Sequence, residues 1–215
     1  MNEGGLDVLR RMIRAELSAL RLPELAVVQD IHPHADAGDD DNHACTVRLR
    51  DTDLVLARVP VMVTRKGAAA IPDVGDLVLV QFLGGEANAP VIVGSLYNDE
   101  DRPPVNAAGE AVLRLPADAA DGEGVELRAG SADSSSALLA LGSALRIELK
   151  DDDPVVVIDV GGGKATLTIE SDGSVTLRSD KALAIEGGDV MVKGSAVTIE
   201  AQGQLKLKGA TIDLN

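Results

Sequence analysis

From Ala165 to Asn215 one short pattern recurs, and it admits few folds. Apolar residues come in pairs two apart: Leu167 and Ile169, Val175 and Leu177, Leu183 and Ile185, Val190 and Val192, Val197 and Ile199, Leu205 and Leu207, Ile212 and Leu214. Short polar turns separate them, so each pair begins seven or eight residues after the last. Alternation inside each unit, as in Thr166-Leu167-Thr168-Ile169-Glu170, is the period of a strand with one buried face. Two inward side chains per strand fill only a narrow interior, and the unit is shorter than the roughly 20 residues of a single-chain solenoid coil. Two arrangements remain: an up-and-down meander, or several chains wound together so that each unit forms one wall of a shared prism. A lone narrow meander leaves both edges unpaired and encloses no core, which favours three intertwined copies. At about 4.8 Å per unit the repeat would build a rod of roughly 30 to 40 Å.

The rest of the core has to be aliphatic, because Phe82 and Tyr97 are the only aromatic residues. The net charge is −15, from 20 Lys+Arg against 35 Asp+Glu. Such a surface repels phosphate backbones and anionic headgroups, which argues against a nucleic-acid partner and against stable membrane binding. A lone cysteine, Cys45, excludes an internal disulfide framework and reads as a small buried residue. Arg10, Arg11, Arg14 and Arg21 interrupt any apolar leader, so the expectation is synthesis in the cytoplasm without a signal peptide.

Taken in order, residues Leu6 to Leu20 predict an amphipathic helix: Leu6, Leu9, Ile13, Leu17 and Leu20 share one face, and Pro23 ends it. Strand texture follows. Leu25–Ile31, Cys45–Leu49, Leu54–Val63, Leu77–Leu83 and Pro90–Tyr97 make five strands, which suits a small barrel of the OB type. Arg102-Pro103-Pro104 reads as a linker, and the alternating runs from Glu110 to Lys150 as a broader base. The expected division is residues 1–22 helix, 23–104 barrel, 105–143 linker and base, and 144–215 needle.

The stretch Ile71, Pro72, Asp73, Val74, Gly75, Asp76 leading through Phe82 to Gly84-Gly85-Glu86, then Pro90, Gly94 and Tyr97, resembles the barrel signature of contractile-tail spike proteins. These are the phage baseplate assembly protein V and the valine-glycine repeat spike of type VI secretion; the spike of an extracellular contractile injection system is a further relative of that kind. The resemblance implies an all-β fold: a five-stranded OB-type barrel followed by an intertwined homotrimeric β-helix, the β-prism needle, with a short N-terminal α-helix. It implies a structural central spike that joins a hub or baseplate protein at the barrel end to a puncturing tip, touches the target membrane only transiently, and is carried in a phage-tail-like particle. Some such spikes end in a histidine-rich tip holding iron; Ile212, Leu214 and Asn215 offer none, which points instead to docking of a separate PAAR-like tip protein.

Catalysis finds little footing. His32, His34 and His43 lie near Asp36, Asp39 and Cys45 but without the paired spacings of a structural zinc site. Gly161-Gly162-Gly163-Lys164-Ala165 lacks the first glycine and the hydroxyl of a phosphate loop, and reads as a turn. Asp151-Asp152-Asp153 lacks the spaced ligands of a calcium loop. Roughly forty residues separate Pro104 from Ala144, too few for the inserted cell-wall hydrolase that some spikes carry. The expectation is therefore no catalytic residues, no cofactor and no metal. The rival readings are an OB-fold single-stranded nucleic-acid binder, for which basic grooves and stacking aromatics are missing, and a carboxylate-based wall hydrolase.

Overall fold

The computed structural model describes residues 3–131 and 134–213. The chain divides into two compact units, residues 1–105 and 106–215.

The first unit begins with helix α1, Glu3–Ala19, and continues with five strands: β1 (Glu24–His32), β2 (Ala44–Leu49), β3 (Val55–Pro60), β4 (Leu77–Phe82) and β5 (Pro90–Leu96). Their order in the sheet is β3-β2-β1-β4-β5, and all neighbours are antiparallel. Bulges at Val28/Asp30, Cys45/Val47 and Leu79/Val80 break the register, and each adds local twist that lets a short sheet coil on itself. The coil closes where Val61 bridges Ile92 in parallel and the Met62 amide donates to the Ile92 carbonyl at 2.8 Å.

Inward positions of all five strands meet in one cluster: Ala26, Val28, Cys45, Val47, Leu49, Val59, Val78, Val80, Phe82 and Ile92. Among the described residues no polar or charged side chain is buried. Each fully buried Leu, Ile, Val or Phe contributes about 1.5–3 kcal/mol, so this aliphatic core carries the barrel with a single ring in it.

The second unit holds seven strands: β6 (Glu110–Leu115), β7 (Val125–Gly130), β8 (Ser136–Leu141), β9 (Leu145–Lys150), β10 (Val156–Val160), β11 (Ala165–Ile169) and β12 (Val175–Ser179). Every strand pairs antiparallel with its sequence neighbours, from β12 through to β6. Over residues 165–179 the repeat pairs within its own chain as an up-and-down meander. No break in pairing falls at residue 144, where the needle was expected to begin; β8 and β9 form a hairpin across it. Gly161, Gly162 and Gly163 have φ of 64, 69 and 88°. Three consecutive left-handed residues need glycine, and they reverse the chain between β10 and β11. The glycine cluster is thus a hairpin turn, with the Gly163 amide donating to Asp159 Oδ1 at 2.8 Å.

Beyond Ser179 the ladder stops. Residues 183–213 make no main-chain hydrogen bond with one another or with the meander, although their alternation matches that of β11 and β12.

Candidate assembly surfaces

In the meander, residues directly opposite on neighbouring strands share a face. The register therefore draws rows across the sheet. The central row runs Leu113, Leu127, Leu139, Ile147, Ile158, Leu167, Leu177. A flanking row runs Ala111, Ala129, Ala137, Leu149, Val156, Ile169, Val175, and the other runs Leu115, Val125, Leu141, Leu145, Val160, Ala165, Ser179. One whole face is apolar except at the last position. An open hollow of ≈ 430 Å³ on it is bordered by Leu113, Leu127, Leu139, Ile147 and Leu149.

The opposite face carries the charges. Arg114 is held by Glu126 at 2.7 Å and Asp121 at 2.9 Å, and Arg128 by Glu110 at 3.0 Å and Glu126 at 3.2 Å. The Arg114 hydrogen bond keeps the Glu126 carboxyl below its ordinary range, with Arg128 adding to the effect. Burial is inverted. The Arg114 and Glu126 side chains are 12% and 18% exposed, whereas Leu113 and Leu149 are 50% and 48% exposed. A folded chain normally hides leucine before arginine, so the apolar face is a surface lacking its cover.

The expected needle residues divide at Ser179. Leu167, Ile169, Val175 and Leu177 lie on the meander's apolar face. Leu183, Ile185, Val190, Val192, Val197, Ile199, Leu205, Leu207 and Ile212 lie in the unpaired run and are all exposed, from 48% at Ile212 to 72% at Val192. Leu214 and Asn215, expected at a tip-docking site with Ile212, lie outside the described residues.

One bend recurs in this run. A Cβ added at Gly194 or Gly209 would press on the carbonyl two residues on, at Ala196 and Thr211, while one at Gly187 would make ordinary contact with that of Asp189; each would touch the apolar residue after it. Unlike the hairpin glycines, these three do not have left-handed φ. The chain turns a corner there without reversing. Sequence reading found the spacing of the units but not this difference between turns.

In the first unit, the Gly75 amide donates to the Val28 carbonyl at 2.9 Å and the Val28 amide to the Asp76 carbonyl at 3.0 Å. The signature turn is thereby pinned to the β1 bulge. Asp76 Oδ2 accepts from the Asp73 amide at 3.0 Å, while burial pushes its carboxyl above the ordinary range. Pro72 precedes this turn, and Pro90 opens β5 opposite Phe82. Gly94 faces Leu79 beside the bulge. Phe82 is buried, whereas Tyr97 is 56% exposed. On α1, Leu6, Leu9 and Ile13 are about half exposed, and Leu17 lies outside the described side chains. The helix leads into the barrel through the Arg21 amide, which donates to the Gly85 carbonyl at 2.9 Å.

The histidines do not converge. His32 Nε2 lies 2.9 Å from Thr46 Oγ1, and His34 Nδ1 lies 2.7 Å from Asp39 Oδ1. Among the described residues no three His, Cys, Asp or Glu side chains are grouped to hold a metal ion. Burial, with the Asp76 and Asp30 charges, pushes the Cys45 thiol up to about 11, so it stays protonated at neutral pH. Among the described residues no helix is long and apolar enough to cross a membrane.

The first unit is thus a closed aliphatic barrel, and the second a sheet with one apolar face uncovered in the single chain. Residues 38–97 match the family of the type VI secretion system/phage-baseplate injector OB domain. Over that segment the chain carries an injector OB domain of the baseplate type. The match takes in β2 to β5 and all seven signature residues; β1, hydrogen-bonded to β2 and β4, completes the barrel outside it. No curated protein matches the chain.

Proposed function

We propose that the protein is the homotrimeric central spike of a contractile injection machine. Its barrels seat on a hub or baseplate protein, and its C-terminal run forms a needle that transmits the axial thrust of contraction into the target envelope. The observation that carries this reading is the run 183–213: strand alternation, exposed apolar positions and no main-chain partner in its own chain. Backbone groups of an apolar strand must be paired somewhere, and copies of the same repeat provide edges of the right length and spacing.

Three is the number that geometry favours. A five-residue strand spans about 17 Å, so three such walls set as a triangle stand about 5 Å from the axis, half the roughly 10 Å at which two sheets pack. Four walls would stand about 8 Å away, leaving a hollow that Leu, Ile and Val do not fill. Two walls leave the outer rows open at their rims.

The mechanism is mechanical. A rod with its core shared among three chains cannot shed one without breaking many contacts together, and it therefore carries load without unfolding. The half-exposed apolar face of α1 offers the hub a further seat. Ile212 and the strand around it offer a tip protein of the PAAR kind unpaired edges for strand addition. In this reading the spike is built into a phage-tail-like particle and meets membrane only as it passes through. Light scattering at micromolar concentration is expected to return three times the chain mass of 22.2 kDa; a monomer mass refutes the assignment.

A further inference from the structure

We propose that the apolar face of the meander is the seat of two further copies of this chain, and that it has to close before residues 183–213 can fold. The proposal rests on the trimeric reading above and adds to it an order of events with one-way dependence.

The two halves of the second unit stand differently toward their own chain. Strands β6 to β12 pair with one another within one chain, leaving open the outer edges of β6 and β12 and the apolar face. The run 183–213 lacks everything: its strands have no edge to pair with and no wall to pack against until other chains are present. Each unit of the run offers two apolar side chains for the seven or eight residues it must order. Such a segment cannot gather three chains by itself, because ordering costs more than so small a burial returns.

The meander is suited to gathering them. Its apolar face is three residues wide across seven strands, whereas on β6 and β7 the other face holds the Arg114, Glu126 and Arg128 ion pairs. The apolar face is the one whose cover removes the most apolar surface from water, so it is where copies meet. Once they meet, Ser179 at the end of β12 is only four residues from Leu183. Three tethered runs then face one another at an effective concentration in the millimolar range. Register matters as much as proximity, since a slip of one residue would turn every apolar side chain outward. The paired strands fix the starting register before the unpaired ones begin.

The test uses the full chain and two variants of the face, Leu127→Asp and Leu177→Asp, with Val197→Asp as the reciprocal. Leu127 and Leu177 are 44% and 54% exposed in the single chain, so a carboxylate there leaves the chain's own sheet standing. Mass is read by light scattering and amide hydrogen exchange is followed along the second unit. Both face variants are expected to be monomers whose residues 183–213 exchange at least about a hundred-fold faster than in the parent, as unprotected backbone does. Val197→Asp is expected to keep the trimer mass and the protection of residues 110–179 while losing protection around the substituted unit. A face variant that stays trimeric with a protected run overturns the proposal, as does a Val197→Asp chain that falls to monomer. A monomeric parent protein instead removes the trimeric reading beneath it.

Discussion

In the loop between β1 and β2, one carboxylate does the work of a small core. Asp39 accepts from the Ala35 and Asp36 amides at 2.6 and 3.0 Å through Oδ2, and from the Asp41 amide at 3.1 Å through Oδ1, which also meets His34 Nδ1 at 2.7 Å. The Asp36 hydrogen bond first, then His34, lowers its carboxyl from 3.8 to about 2. A depressed carboxylate adds stability that is full above its unfolded value and is lost as pH falls through the folded one. Between pH 3.8 and about 2 the Ala35 and Asp36 amides are therefore expected to lose their protection from exchange while those of Val47 and Val80 keep theirs. Equal loss at all four sites would mean that the barrel, not this loop, responds to acid. The loop of histidines and acids, whose spacing in the sequence already fell short of a metal site, is over His34 and Asp39 a hydrogen-bonded turn.

The strands raise the question of what a period of two can tell. It told which side chains share a face: the aliphatic alternation of β2 and β4 became barrel core, and that of β11 became meander face. It could not tell whose edge lies alongside, because an apolar residue reads the same against its own chain as against another. The spacing from Leu167 to Ile212 hardly varies, yet pairing within the chain ends at Ser179. What separates the two regimes is backbone conformation at glycine: left-handed at Gly161, Gly162, Gly163 and Gly173, where the chain doubles back, and not at Gly187, Gly194 or Gly209. Composition hides that. Likewise the motif containing both Phe82 and Tyr97 gave no sign that only the first is buried. At this scale the inward set is testable in the run itself. Val197→Asp is expected to set three carboxylates at one level of a shared core, a loss of several kcal/mol, whereas Thr198→Asp faces outward and should be near neutral. Similar melting temperatures for the two variants would refute the assigned alternation.

For the whole molecule the question is what lies beyond each surface. A tip protein recognised by strand addition needs both the free edges near Ile212 and the ordered run behind them. The full chain is expected to retain such a protein on a column, and a version shortened to Gly203 to lose it; equal capture by both, or by neither, would move the site elsewhere. The same unpaired run has a consequence for the life of the protein in a cell. Proteases cut extended, unbonded backbone and pass over paired strands. A chain that has not found its partners displays such backbone from Leu183 to Asp213, and a completed assembly would hide it. In the proposed assembly, degradation would act as an inspector, removing chains that have not assembled by cutting the unpaired run and sparing those in which it is paired.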